Sequence, residues 1–437
     1  MVIVFCTLQQ EANFLKLIWT KMKGSINLIS KIMLLGLLAN IFLIGATTEY
    51  PCVKKEGYSE SQICGKCHTG IYKEWENSLH ASSLSDPVFL GVFNEVERDK
   101  KSFCLKCHVP TVRVTRNCDL APPISKEGVT CDFCHTVKSV DLNKEEPFEF
   151  DLGVVKRGPF ESHLEIGHKN LYSAIHLKAE FCAGCHEVVN ENGFHVMSTY
   201  SEWKMGPYAE KGIQCQNCHM PVEFGAPTVN PEVAKTEHTV TAHKFQGGHT
   251  QINITKAATL TQVLDKVDDS VSVVVYITNA EAGHSLPTGI PSRRVILTVK
   301  LLDSKGKVVG EKEVVYRRVL VDGEGKEISV KDINDMFLKA AALRSDNRIK
   351  PKETRREEFI FPLTRRMGKV LTVESALRYE FRVPYLEPNV MRMEMARDVK
   401  TINMETEVIG IWKWIISLAG VLVLLFILRI TLKKWRR

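Results

Sequence analysis

Three features of the 437-residue chain predict its fold class: an irregular, α-rich domain built around attached prosthetic groups, then an all-β sandwich-like domain, then one C-terminal transmembrane helix. The first is a set of five Cys-x-x-Cys-His motifs, all before residue 220. The second is a series of segments rich in Val, Ile, Tyr and Phe after about residue 251, divided by Asp- and Gly-bearing turns. The third is an apolar stretch over 408–428 that ends in Arg429, Lys433, Lys434, Arg436 and Arg437.

The N-terminal 46 residues read as a signal peptide or hydrophobic segment. Lys21, Lys23 and Lys31 precede an apolar run over 32–46 with the length and flanks of a secretory signal, and cleavage after Ala46 fits it. The stretch before Met22 is unusual for a signal, so a start at Met22 and an uncleaved anchor both remain open.

Residues 47–250 form the next domain, and its motifs set its chemistry. They are Cys64, Cys67 and His68; Cys104, Cys107 and His108; Cys131, Cys134 and His135; Cys182, Cys185 and His186; Cys215, Cys218 and His219. At this spacing two thiols form thioethers to the vinyl groups of a haem, and the adjacent imidazole turns back to the iron as proximal ligand. With 13 cysteines and 14 histidines in the chain, chance would supply roughly 0.01 such motifs. Structural zinc combines two Cys-x-x-Cys half-sites and needs no histidine after each, and a disulfide framework needs no histidine at all. The motifs therefore predict five covalently bound haem c groups in a multihaem cytochrome c domain. Regular structure there is expected as short helices, such as 71–80 and 200–209, cut by Gly, Pro and Asn turns. About 40 residues per haem is too little chain for an ordinary apolar core, so the porphyrins supply much of the buried surface.

Residues 251–400 read as the β-domain. Strands are expected over 271–278, 295–302, 308–321, 357–363 and 370–383. In the second of these Val295, Leu297, Val299 and Leu301 alternate with Ile296, Thr298 and Lys300, as a strand with one face on a core requires. The stretch 408–428 carries Lys413 as its one charge, and the basic tail 429–437 places the C-terminus in the cytoplasm. The expected location is the cytoplasmic membrane, single-pass, with the haem domain on its outer side. The formal charge of +7 does not point to nucleic acid: five haems bring roughly ten negative propionates, and the basic residues are interspersed with acidic ones.

Nine histidines lie outside the motifs. A second axial imidazole makes a haem a low-spin electron-transfer centre, whereas an open sixth position admits a substrate. The candidate distal ligands are His80, which ends a helical stretch after the first motif; His176, before the fourth motif; His243 and His249, around a short Phe- and Gly-bearing segment; His163 and His168; and His284, in a loop between two expected strands. His195 and His238 are weaker candidates, and each of these residues has the alternative of an ordinary core or loop histidine. Outside the motifs stand Cys6 in the signal region and Cys52 with Cys118, which either pair as a disulfide or stay as thiols.

The run from Gly57 and Tyr58 through Cys64 to His68, followed by Ile71, Tyr72, Trp75, Ser78 and His80, resembles the opening of multihaem cytochromes c related to the tetrahaem electron carrier of ammonia oxidisers. Segments 199–203, 207–209 and 215–221 are similar to its later part, and 283–289 resembles a loop in members with an appended β-domain. The resemblance implies closely stacked, mostly bis-histidine haems, with His80 at a distal-ligand position. The extra haem and the C-terminal helix depart from the tetrahaem pattern. The function this predicts is a membrane-anchored pentahaem electron carrier. Its partners would be redox proteins or a quinol-linked membrane donor, with membrane lipid around the helix, no nucleic acid, and oligomerisation left open. One alternative is an oxidoreductase acting on a small nitrogen or sulfur compound at one five-coordinate haem; the other is a subunit of a larger electron-transfer assembly. Pentahaem nitrite reductases usually carry lysine in their catalytic motif, and all five motifs here end in histidine.

Overall fold

The computed structural model describes residues 53–161, 164–364, 367–382, 390–404, 420–429 and 435. The N-terminal segment 1–46, Cys6, Cys52, His163 and residues 408–419 lie outside them.

Val53 to Arg437 form one compact unit. Its first half winds through short helices, the longest of which, among the described residues, is Pro87–Glu95. Between them lie four two-stranded sheets: β1 (Val137–Val140) with β2 (Phe148–Phe150), β3 (Val155–Gly158) with β4 (Lys169–Tyr172), β5 (Glu187–Val189) with β6 (His195–Ser198), and β7 (Val222–Phe224) with β8 (Thr239–Thr241). This half is therefore not α-rich, which corrects the expected fold class. Each motif helix stops within about two turns, and its histidine is met by a carbonyl or an imidazole from elsewhere in the chain. The expected helix over 200–209 is broken at Gly206 and Pro207 into Thr199–Lys204 and Pro207–Glu210, because proline starts a helix but cannot continue one.

From Ala258 to Asn403 the chain is mostly β, with a short helix at Ile333–Leu338. A three-stranded antiparallel sheet runs β15 (Thr354–Pro362), β10 (Ser270–Asn279), β9 (Ala258–Val267). A four-stranded one runs β12 (Val308–Tyr316), β11 (Arg293–Leu302), β16 (Val370–Arg382), β17 (Val390–Asn403). One core fills the space between them: Val271, Val273, Val275 and Ile277 of β10 meet Val295, Leu297, Val299 and Leu301 of β11 and Leu371, Val373 and Leu377 of β16. Each such side chain contributes about 1.5–3 kcal/mol of burial, so this layer anchors the molecule without help from a cofactor. A small two-stranded sheet of β13 (Arg318–Val321) and β14 (Ala342–Asp346) leans against the first half, where Arg318 donates to the carbonyls of Val196 at 2.8 Å and His195 at 2.9 Å.

The expected transmembrane helix is also corrected. Among the described residues no helix is long and apolar enough to cross a membrane. Residues 420–429 are helical and exposed. The lipid contact expected for that helix falls with it.

Candidate haem-binding centre

The motif cysteines sit on short helices whose spacing does part of the chemistry. Cys131 and His135 lie in Cys131–Thr136, Cys182 and His186 in Ala179–His186, Cys104 and His108 in Lys101–His108, Cys215 and His219 in Cys215–His219, and Cys64 in Ser61–Gly65 with Cys67 and His68 directly after it. Positions i and i+3 of a helix share a face, so both thiols of a motif point the same way. Thr130 caps one of these helices by accepting from Phe133 N, and Gln214 with Asn217 form a capping box on another.

Four of the five motif histidines are oriented by a backbone carbonyl from a distant segment. Nδ1 of His68 donates to Pro227 O at 2.6 Å, His108 to Ser83 O at 2.9 Å, His135 to Arg157 O at 2.6 Å and His219 to Gln246 O at 2.6 Å. This fixes the tautomer and leaves Nε2 free for a metal, the arrangement that metal-ligating histidines use.

The distal candidates fall into distinct places. Two imidazoles that share one iron have ring centres about 6 Å apart, given metal–nitrogen bonds of about 2 Å and about 1 Å more from each nitrogen to its ring centre. His68 and His168 are at 6.0 Å, His80 and His186 at 6.3 Å, and His135 and His243 at 6.3 Å. His176 lies 6.0 Å from His135 as well, but its Nε2 donates to Cys134 O at 3.0 Å, on the motif's own helix, so it stands beside His135. His243 is held from other elements, by Thr241 O at Nδ1 and by Glu74 at its backbone N–H. His80, His168 and His176 each keep a buried Nδ1 without a hydrogen-bond partner, which is rare for a buried polar atom outside a ligand site; of the three, His176 is the one whose Nε2 is already engaged by the Cys134 carbonyl. Burial pushes the pKa of His80 down to about 3, with the neighbouring His186, His219 and His243 adding to it, and burial likewise takes His168, His186 and His243 to about 4. The imidazoles are thus neutral, as metal ligands must be. These spacings and tautomers fit haem c.

The remaining two motif histidines have other neighbours. Phe89 stacks on the face of His108 with ring centres at 3.7 Å. His284 is half-buried within electrostatic reach of His219, and its Nδ1 donates to Ser285 O at 3.1 Å. His249 packs edge-on against Phe381 at 5.8 Å. His195 is exposed and bonded to Glu187 Oε1 at 2.7 Å, and His238 stacks on the exposed Phe224. Cys118 is an exposed free thiol.

Thiols of different motifs lie against each other: Cys64 with Cys131, Cys107 with Cys185, and Cys182 with Cys215. The first motif thus adjoins the third, and the fourth adjoins both the second and the fifth. Among the described residues no group of three or more His, Cys, Asp or Glu side chains is arranged to hold a bare metal ion, so the Cys-x-x-Cys pairs there do not converge as a four-cysteine zinc site requires.

Nothing in the sequence marks Glu202 as a structural hub. Its carboxylate accepts from Arg348 Nη1 at 2.7 Å, Thr288 Oγ1 at 2.7 Å, Ser198 Oγ at 2.8 Å and Ser285 N at 3.2 Å. It ties helix Thr199–Lys204 to the 283–289 loop that carries His284. Asp346 holds the other side of Arg348 at 2.8 Å. Arg113 joins the second and fourth motifs, donating to Lys106 O at 2.7 Å and to Gly184 O at 3.5 Å, and it also donates to Glu146 at 2.8 Å while it lies over Phe148.

Residues 63–136 match the family described as cytochrome c554 and c-prime. The chain is similar to a penta-heme cytochrome c552 from Thermochromatium tepidum, with a TM-score of 0.66 and 22% identity over 79% of this chain and 99% of that one. A β-glucuronidase from Bacteroides uniformis matches 34% of this chain and 14% of its own at 12% identity and a TM-score of 0.18, too low to carry an argument. No curated protein matches.

Proposed function

We infer that this chain, a multihaem cytochrome c, carries electrons through five haem c groups, most of them held between two histidines. The observation that carries this reading is the recurrence of imidazole pairs at 6.0–6.3 Å, each containing one motif histidine. His68 with His168, His135 with His243, and His186 with His80 would each hold one haem, and His284 of the β-domain is the candidate partner of His219. Haem c supplies one-electron chemistry at each iron. The chain's part is to hold both axial nitrogens in place in either redox state, so that little rearrangement accompanies electron gain or loss.

Motif adjacency suggests the route. It runs from the first motif to the third, and Cys134 lies close enough to Cys182 and Cys185 to act on them electrostatically, so the third leads to the fourth. The fourth then branches to the second and the fifth. The partners are redox proteins that give and take single electrons, and the haem half works outside the cytoplasm, where c-type haem is attached.

One observation favours a second reading. Among the described residues no histidine ring pairs with His108, and Phe89 lies on it instead, so the second haem is the place for a reductase or oxidase of a small nitrogen or sulfur compound. Electron paramagnetic resonance of the oxidised holoprotein separates the two. Low-spin signals unaffected by nitrite, hydroxylamine or sulfite support the carrier; a high-spin signal that shifts with one of them replaces it with the enzyme.

A further inference from the structure

The first residue of β11 and its cross-strand neighbours on β16 present polar atoms that no group among the described residues satisfies. Arg293 and Phe381 are paired across β11 and β16, and Val295 and Tyr379 are the next pair on the same face. Because side chains alternate along a strand, all four point into the sandwich, while Arg294 and Glu380 lie on the other face of the sheet and pair with each other. Tyr379, Phe381 and Val295 belong to the hydrophobic core, yet Arg293 Nε and Tyr379 Oη are buried without a hydrogen-bond partner. The guanidinium has one weak bond, Nη1 to Thr288 O at 3.3 Å, and lies 5.7 Å over the Phe381 ring.

Two glycines keep the space beside this pair clear of side chain. A Cβ at Gly248 would lie 3.0 Å from Tyr379 Oη and 3.6 Å from Arg293 Nη1, and one at Gly289 would lie 2.7 Å from Arg293 Nη1. His249 closes the same corner against Phe381, and the charge of Arg293 reaches His186 and His284. The buried Nε–H of Arg293 and the buried phenol of Tyr379 are both donors that demand an acceptor, and leaving either unmet is destabilising. Arginine's planar fork suits two oxygens of one carboxylate, and the phenol adds a third bond.

We propose that Arg293 and Tyr379 form a buried anion site for a carboxylate, that of a haem propionate from the fourth or fifth motif. The proposal rests on the multihaem reading above and extends it, because it makes the β-domain a part of the electrostatic environment of those haems. A free small oxyanion has the same chemistry and is the other source of an occupant.

The test uses matured holoprotein carrying Arg293→Gln, Arg293→Lys or Tyr379→Phe, with spectroelectrochemical titration of every haem and, separately, addition of acetate and nitrite. Removing the guanidinium leaves the carboxylate charge uncompensated, so one haem in Arg293→Gln is expected to shift to a more negative midpoint potential. Arg293→Lys restores part of the shift, Tyr379→Phe gives a smaller one, and acetate and nitrite leave the wild-type spectrum unchanged. A saturable spectral response of wild type to acetate or nitrite, lost in Arg293→Gln, assigns the site to a free oxyanion and overturns the propionate. Potentials unchanged in properly folded Arg293→Gln, with no anion response, overturn the site altogether. Neither failure touches the carrier reading, which stands or falls on spin state.

Discussion

The choice between His176 and His243 turns on single hydrogen bonds. Both rings approach His135, but His176 spends Nε2 on the Cys134 carbonyl while His243 is anchored at Nδ1 by Thr241. His243→Ala is therefore expected to turn one low-spin haem high-spin in the resonance spectrum, and His176→Ala to leave the spin states as they are. Glu202 invites a second substitution. In Glu202→Gln the buried Arg348 loses one of its two carboxylates, and breaking a buried pair this way is expected to cost about 3 kcal/mol, read by denaturant unfolding. The motif cysteines and histidines are legible in the sequence because attachment demands a fixed local spacing. Distal partners are not, since His168 reaches His68 and His243 reaches His135 across about a hundred residues of folded chain. Arg293 and Tyr379 carry no sequence signal; only their register across two strands brings them together.

At the level of elements, the motif helices depend on what packs against them. Gly184, between the cysteines of the fourth motif, has no room for a side chain: a Cβ there would lie 2.2 Å from the Phe148 ring of β2. Gly184→Ala is expected to displace that ring and lose about 1–3 kcal/mol, measured as a lower thermal midpoint with an altered Soret band. In the sandwich, β10 and β11 are visible in the sequence because every second residue is Val, Ile or Leu. Two strands hide for opposite reasons. β9 places Gln262 in the core, where it bonds to Ser375 Oγ at 2.7 Å and to the Val373 carbonyl at 3.1 Å, so its polar letter breaks the pattern. β17 is an edge strand whose outer face carries Arg392, Glu394 and Arg397, and a bulge beside Leu377 and Arg378 blurs its alternation. The C-terminal apolar run shows the converse, for hydropathy alone suggests a span, and among the described residues no helix is long and apolar enough to make one.

For the whole molecule, acid is expected to act through carboxylates held by arginines. At Glu380 burial opposes ionisation, but bonds from Arg392 and Arg294 outweigh it and keep the pKa below the usual carboxylate value; Asp346 is held low by Arg348 against the same opposition. A lowered folded-state pKa adds stability above the unfolded value of about 4 and loses it as pH falls through the folded one. The holoprotein should therefore stay folded near neutrality and lose the sandwich only below pH about 4, as circular dichroism against pH would show. The two halves also differ in what holds them. The sandwich has its own core, whereas the motif half has only small clusters, such as the one around Phe93 and Leu105. Limited proteolysis of protein made without haem attachment should cut within 53–250 and spare much of 258–403. The facing thiols then carry a consequence for biogenesis. In an oxidising compartment Cys64 and Cys131, Cys107 and Cys185, and Cys182 and Cys215 are each placed to crosslink if the polypeptide compacts before its thioethers form. In such a compartment maturation would be a race between attachment and misoxidation, and the chain would have to be kept open and reduced until every cysteine of those three couples is capped.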